Sequence, residues 1–324
     1  LTYNQQMKKL RKDKRIDCNG TPHKISLVRS GYFNMINGYK MPFTCGTDAH
    51  GNHIYFPNTT LSQINSLKKF DESLRLFLLK YITQVEEEVR TLTGYKFDQY
   101  NENGKIPWYE TNAYSTNVTL QSKMNTISSA YSELSKSKSE YVQFYMKNHE
   151  QIPTWIMIKV VNFSTFIDVL QNSKTNVTHA ICKLYSMYDD VKLLIGSLHW
   201  LRRVRNSCAH NERVFCIHQT QARNNSASGR ILDPYYAQLP TSYSRCTEKN
   251  IFDILVYFKY FLPKEEFAPM IMELKNMLIE LQGTLQPNAF DNVRGQMGIK
   301  NLSVLDTLIS LPKSKIEYHK FDTL

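Results

Sequence analysis

The sequence predicts an all-α protein with a small mixed unit at its N-terminus. From Leu61 onward, apolar residues recur at three- and four-residue steps, which is the spacing of helices buried on one face. Twelve glycines and 11 prolines in 324 residues are few for a loop-rich β-sandwich. No run of residues has the pattern of a parallel sheet, and an aromatic content of 12% argues against a disordered chain.

The chain divides into three predicted segments. Residues 1–60 form a unit with a basic start, a short amphipathic piece at Lys24–Arg29, Gly- and Tyr-containing turns, and a loop from Thr44 to Asn58. Residues 61–282 are the helical domain, with a long loop at about 219–248, and residues 283–324 are a C-terminal extension of turns with one short helix near 302–310. Predicted helices cover 61 to about 94, 120–149, 153 to about 170, about 177–188, 189–211, 250–262 and 264–282. The polar run at 135–139 is either a solvated helix face or a break.

The charge balance favours a nucleic-acid partner. Forty Lys and Arg against 29 Asp and Glu give a net charge of +11, and phosphates attract such a surface. A basic but passive surface is the alternative. The basic start is interpreted as a phosphate-binding arm, with a solvated tail as the alternative. The predicted RNA contacts are Lys8, Lys9, Arg11, Lys12, Lys14, Arg15, Tyr32, Tyr39, Lys40, Arg202 and Arg203.

Cysteine usage and hydropathy bear on location. The six cysteines are scattered without a Cys-x-x-Cys pair, which is typical of reduced thiols. No apolar run reaches the ~18 residues of a membrane span, and Leu1–Arg15 has no apolar signal-peptide core. We therefore expect a cytoplasmic protein with no membrane partner.

The strongest chemical motif is the basic stretch from Leu201 to Arg213. Asn206 and His210 are four residues apart on one helix face, so Asn206 is expected to orient the His210 ring. Arg205 precedes His210 by five residues, roughly 140° around an ideal helix. The two converge if the Arg205 side chain wraps, if the helix end distorts, or if a second subunit contributes.

This set of residues suits cleavage of RNA without a metal or other cofactor. A histidine exchanges protons near neutral pH, and an arginine stabilises the charge that builds on phosphate during attack by the 2′-hydroxyl. One such histidine per chain leaves an acid or a base missing, which two antiparallel copies in a homodimer would supply. A basic helix end with a surface histidine is the alternative. Cys208, His210, Cys216 and His218 have no standard zinc spacing, so no metal site is predicted.

Several further motifs occur in one order along residues 25–262. They are Ser30-Gly31-Tyr32 with Asn37–Phe43, Phe70–Arg75 with Ile82, Glu86 and Arg90, Ile152–Trp155 with Phe163–Phe166, Arg205–Asn211 with Val214-Phe215, and Phe252–Phe258. This ordered set resembles the Abi_2 family, the AbiD/AbiF-like abortive infection proteins of the HEPN ribonuclease superfamily. One departure is Ser164-Thr165, where the family often has a glycine.

The resemblance implies a HEPN-type helical bundle with helical insertions, a composite dimer site, and an endoribonuclease toxin in phage defence. Arg205 and His210 match the signature residues, and Asn206 matches its polar second position. Glu86 and Arg90 either brace this site or form a solvated ion pair. A small structured non-coding RNA is an expected partner, with the direction of control open. The alternatives are a HEPN-fold RNA-binding module that cuts little, or a scaffold with protein partners.

Overall fold

The computed structural model describes residues 1–187, 189–220 and 248–312, together with Tyr235, Gln238 and Leu239. Helices dominate this part of the chain, so the predicted all-α class is confirmed. The helices are α1 Tyr3–Asp13, α2 Gly20–Ser30, α3 Leu61–Tyr100, α4 Leu120–Lys136, α5 Glu140–Asn148, α6 Thr154–Val160, α7 Phe163–Asn172, α8 Thr175–Leu184, α9 Val191–Ala209, α10 Ile251–Phe261, α11 Lys264–Thr284, α12 Pro287–Met297 and α13 Ser303–Ser310. The strands are β1 Thr44–Thr47, β2 His53–Tyr55, β3 Gln219–Thr220 and β4 Glu248–Lys249.

Helix α3, 40 residues long, is the central element of the fold. It begins at a capping box formed by Thr60 and Gln63, and it packs against α6, α8, α9 and α11. The prediction that it ends near Gly94 was wrong. Gly94 lies against Ile158 of α6, and Phe97 beyond it is fully buried, so tertiary packing carries the helix on to Tyr100.

The N-terminal unit is folded onto the helical domain. Helix α1 buries Met7 and Leu10, and the buried residues of this unit belong to the same hydrophobic core as those of α3. The predicted loop from Thr44 to Asn58 contains an antiparallel hairpin of β1 and β2. Asp48 holds its turn, since its carboxylate accepts from the backbone N–H groups of His50 and Asn52.

Three other predicted elements differ in extent. The single helix predicted after Pro153 is two helices, because the side chain of Asn162 caps α7 by accepting from the N–H groups of Ser164 and Thr165. The run at 135–139 is a break between α4 and α5. Part of the predicted turns after 283 is helix α12, which has Pro287 in its first turn and ends at left-handed Gly298.

The predicted loop at 219–248 is described at its two ends, where β3 pairs with β4. Residues 221–234, 236–237, 240–247 and 313–324 lie outside the described residues, as does Tyr188. No helix in the described part of the chain has the length and apolar character needed to cross a bilayer.

Candidate functional site

Helix α9 carries the Arg205–His210 motif to a defined end. Its apolar stripe, including Leu201 and Val204, is fully buried, and the N–H of His210 donates to the carbonyl of Asn206 at 2.9 Å. Asn211 follows with a φ of +57°, in the left-handed conformation that ends helices. His210 therefore lies exposed at the carboxyl end of α9, where the helix dipole favours a cation.

His210 lines a cleft of about 810 Å³, here named the His210 cleft. The walls come from the N-terminal unit, from α3, and from α9 with the segment after it. No hydrogen bond to the His210 imidazole occurs among the described residues. The lining residues are Arg29, Ser30, Phe33, Asn34, Asn37, Gly38, Tyr39, Lys68, Glu72, Arg75, Arg203, His210, Asn211, Glu212, Arg213, Cys216, Ile217 and His218.

Most of the charged side chains of the His210 cleft are cationic, although Glu212, whose carboxylate accepts from the Ser207 hydroxyl at 2.6 Å, also lines it. Lys68 pairs with Glu72, and Arg75 pairs with Asp71. Arg29, Arg203 and Arg213 have no carboxylate partner among the described residues. Arg203 donates to the carbonyl of His218 at 3.2 Å, and Arg213 donates to the carbonyl of Gly38 at 2.6 Å. These guanidinium groups keep donors for an anion, because each has five N–H donors.

Buried Asp71 on α3 fixes the segment that follows His210. One carboxylate oxygen accepts from the N–H groups of Val214 and Phe215 at 3.0 and 2.8 Å. The other accepts from the Tyr39 hydroxyl at 2.9 Å and from Arg75 at 2.7 Å. Burial raises the pKa of Asp71, and these donors lower it. The network joins α3, the N-terminal unit and the His210 segment at one carboxylate.

Arg205 lines a different cleft, of about 720 Å³, here named the Arg205 cleft. Its Nε lies 3.8 Å from Oε2 of Glu86, and its Nη1 donates to Oδ1 of Asn206 at 3.3 Å. The structure thus brings Arg205, Asn206 and Glu86 together. Asn206 bonds His210 through its backbone carbonyl, while its side-chain oxygen accepts from Arg205. The predicted orientation of the His210 ring by the Asn206 side chain is not seen.

Glu86 and Arg90 form a brace beneath Arg205. Arg90 donates to Oε1 of Glu86 through Nη2 at 2.7 Å and through Nε at 3.1 Å. It also donates to the carbonyls of Ile158 and Val161 at the end of α6. This pair is mostly buried, so it is not the solvated ion pair that was the alternative. Burial lowers the pKa of Arg90, and Glu86 counteracts that effect.

Of the predicted RNA contacts in residues 8–15, Lys8, Lys9, Arg11 and Lys12 lie on α1, whereas Lys14 and Arg15 follow its end. Most of them are exposed, and none lines the His210 cleft. Arg11 donates to the carbonyl of Cys18 at 2.7 Å. Lys14 is partly buried with its ammonium 5.8 Å from the Tyr55 ring. Burial, followed by the charges of Lys40 and Lys9, lowers the pKa of Lys14.

Of the two aromatic residues predicted to contact RNA, Tyr39 is buried and Tyr32 is partly exposed. Tyr39 is buried, stacks on Phe215 at a centroid distance of 6.0 Å and bonds Asp71, so its ring cannot stack on a base. The RNA-contact interpretation of Tyr39 is therefore corrected. Burial beside Asp71 raises the pKa of the Tyr39 hydroxyl, which stays protonated and donates. Tyr32 is partly exposed, with its hydroxyl buried.

Of the two remaining predicted arginines, one lines the His210 cleft and the other does not. Arg203 lines the His210 cleft, with its guanidinium 5.6 Å from the Trp200 ring centre. Arg202 donates to the Ser164 hydroxyl at 3.2 Å and does not line that cleft. Lys40 is partly exposed beside Asn37.

Sequence reasoning missed Asp71, Arg75, Arg213 and Phe33. Asp71 and Arg75 are four apart on a helix, a spacing that predicts an ion pair. Nothing in the sequence shows that this pair binds the segment after α9. Among the described residues, no three His, Cys, Asp or Glu side chains are grouped as metal ligands.

Comparison with known protein families identifies the family of this chain. The family model Abi_2, described as Abi-like protein, matches residues 26–216. This chain belongs to the Abi-like protein family. The match includes every lining residue of the Arg205 cleft and nearly all of those of the His210 cleft, but it leaves out α1. No curated protein and no solved structure matches the chain. The family assignment suggests a part in abortive infection, which is defence against phage.

Proposed function

We propose that this protein is a metal-independent endoribonuclease of abortive infection, a toxin in which His210 transfers the proton. The observation that carries the proposal is the exposed His210 imidazole on the wall of a cleft of about 810 Å³. Three arginines on that wall have no carboxylate partner among the described residues, and cations outnumber carboxylates there. Phosphate and a proton acceptor would thus meet at one place, which RNA cleavage requires.

The reaction needs two proton transfers. A base removes the proton of the 2′-hydroxyl, whose oxygen attacks the adjacent phosphorus and forms a P–O bond. The bond from phosphorus to the 5′-oxygen breaks, and an acid protonates that oxygen. The products are a 2′,3′-cyclic phosphate and a 5′-hydroxyl. Arginine donors stabilise the charge that builds on the phosphoryl oxygens.

We assign the missing parts of the site to a second copy of the chain. The support for this assignment is that Arg205 and His210 line different clefts of one chain. An antiparallel homodimer would bring the two motifs together, as the HEPN resemblance implies. Arg205 would bind phosphate, with Glu86 holding its guanidinium.

One observation favours a second arrangement within a single chain. His218 lines the same cleft as His210, so the two imidazoles could serve as base and acid without a partner. This arrangement leaves Arg205 without a direct part in the reaction. It predicts that His218→Ala is inactive, whereas the dimer arrangement predicts that His218→Ala retains cleavage.

The test is cleavage of total RNA in the presence of EDTA. The wild type is compared with His210→Ala and with His50→Ala, which removes an exposed histidine of the β1–β2 turn outside the cleft. We expect the wild type and His50→Ala to cut and His210→Ala to be inactive. Binding of RNA without cutting by all three, after bound RNA is stripped, would support the RNA-binding module instead.

A structured non-coding RNA partner and a cytoplasmic location stay predictions of the sequence. The net charge of +11 supports an RNA partner of either kind, substrate or regulator. Protein purified in low salt would then carry RNA and show a raised ratio of absorbance at 260 to 280 nm. A protein-like ratio would favour the scaffold alternative.

A further inference from the structure

An exposed aromatic ring lies on the wall of the His210 cleft. Phe33 is 73% exposed, although it is a large apolar residue in a folded unit, and it lines the cleft with His210. A single exposed aromatic ring is common on protein surfaces, so the place of Phe33 on the cleft wall, rather than its exposure alone, bears on a ligand. The three arginines without carboxylate partners on the same wall point to a ligand that carries phosphates as well as a flat apolar group.

The local backbone conformation places Phe33 on the outside of its turn. Gly31 ends α2 with a φ of +72°, a conformation open to glycine. The next turn, Phe33–Asn37, is π-helical, and its Met35 and Ile36 are fully buried. Because these two neighbours fix the turn to the core, the ring of Phe33 is held outward. Such π turns occur frequently at functional sites.

The same turn is tied to the His210 segment. Arg213, three residues after His210, donates to the carbonyl of Gly38 at the end of the turn. The exposed side-chain amides of Asn34 and Asn37 lie on the cleft wall beside the ring. The wall therefore carries cations for phosphates, a ring face for a base, and amides for a base edge.

We propose that Phe33 is the stacking platform for an unpaired base of a single-stranded RNA bound in the His210 cleft. This inference rests on the proposed function, since it names the class of substrate for the same cleft. Duplex RNA keeps its bases stacked and paired, so it offers no free face to the ring. Asn34 and Asn37 then select among bases at that position, whereas the arginines bind any strand.

Fluorescence anisotropy with a labelled oligouridylate and an RNA duplex tests the inference. All variants carry His210→Ala, so that the RNA stays intact. Phe33→Ala and Phe33→Leu are expected to weaken single-strand binding about tenfold, about 1.4 kcal/mol, because both remove the ring. Phe33→Trp keeps the affinity. Phe144→Ala, at a 56% exposed phenylalanine on α5 outside the cleft, is the matched control and leaves binding unchanged.

Duplex binding is expected to be equal in all these variants. Unchanged single-strand affinity in Phe33→Leu would overturn the inference, as would an equal loss for strand and duplex, or no single-strand binding by the parent. The readout is independent of cleavage. If the wild type cuts no RNA but the ring effect is seen, the proposed function fails and this inference stands. If the wild type cuts RNA but the ring effect is missing, the proposed function stands and this inference fails.

Discussion

The position of the Arg205 side chain depends on the carboxylate of Glu86. This carboxylate receives two hydrogen bonds from Arg90 and lies 3.8 Å from Arg205. We predict that Glu86→Gln lowers the cleavage rate about tenfold, because the neutral amide no longer holds two guanidinium groups. The adjacent Glu87→Gln makes the same change at an exposed position of the same cleft and leaves the rate unchanged.

Rate constants for a fixed RNA substrate, with melting curves for both variants, check this prediction. Equal rates for Glu86→Gln and wild type would show that the brace has no part in the reaction. A matching loss in both glutamine variants would point to the overall charge of the cleft instead.

At the same scale, spacing predicted some side-chain partners and missed others. The four-residue spacing of Glu86 and Arg90 allowed their ion pair, but it left open whether the pair is buried or solvated. Residue spacing did not show that Phe33, rather than Tyr39, has the exposed ring. A π-helical turn adds a residue to its hydrogen-bonded ring and changes which side chains face the core, and no simple pattern marks that turn. The link from Asp71 to Val214 joins residues far apart in sequence, so it needs the tertiary fold.

Among the elements, α3 gives the sharpest test of the fold. Gly94 lies in its interior, and a Cβ there would meet Ile158 Cδ1 at 3.5 Å, an ordinary contact. We predict that Gly94→Ala raises the free energy of unfolding by about 0.5–1 kcal/mol, because alanine favours helix. Gly104→Ala is the matched control and should be destabilising, since Gly104 has a φ of +83°.

Urea denaturation of both variants measures these changes. A destabilised Gly94→Ala variant would mean that the helix ends at this glycine, as the sequence alone suggested.

The long amphipathic helices were predictable from the sequence, because each buries one face over many turns. The break between α6 and α7 at Asn162 was not predictable from the sequence. There the Asn162 backbone and side-chain N–H groups donate to the carboxylate of Glu133, which belongs to a different helix.

For the whole molecule, the question is whether one chain or two build the site. A ninefold excess of His210→Ala, mixed under conditions of subunit exchange, leaves about one wild-type subunit in ten with a wild-type partner. If both copies supply His210 to one site, the cleavage activity per wild-type subunit falls in proportion to the fraction of wild-type subunits that have a wild-type partner. Unchanged activity, together with an inactive His218→Ala, would establish the single-chain arrangement. The sequence could not decide this, because side-chain wrapping, a distorted helix end and a second subunit each allowed Arg205 and His210 to converge. The structure places the two residues in different clefts.

The central claim is that His210 drives attack by a 2′-hydroxyl, and one substrate tests it directly. The substrate is a single-stranded oligonucleotide that is 2′-O-methylated at every position except one, incubated with RNA-free protein and EDTA. We predict one cut, 3′ to the free 2′-hydroxyl, with the mass of a 2′,3′-cyclic phosphate, and no cut by His210→Ala. Cutting at methylated positions, or equal cutting by His210→Ala, would contradict the account.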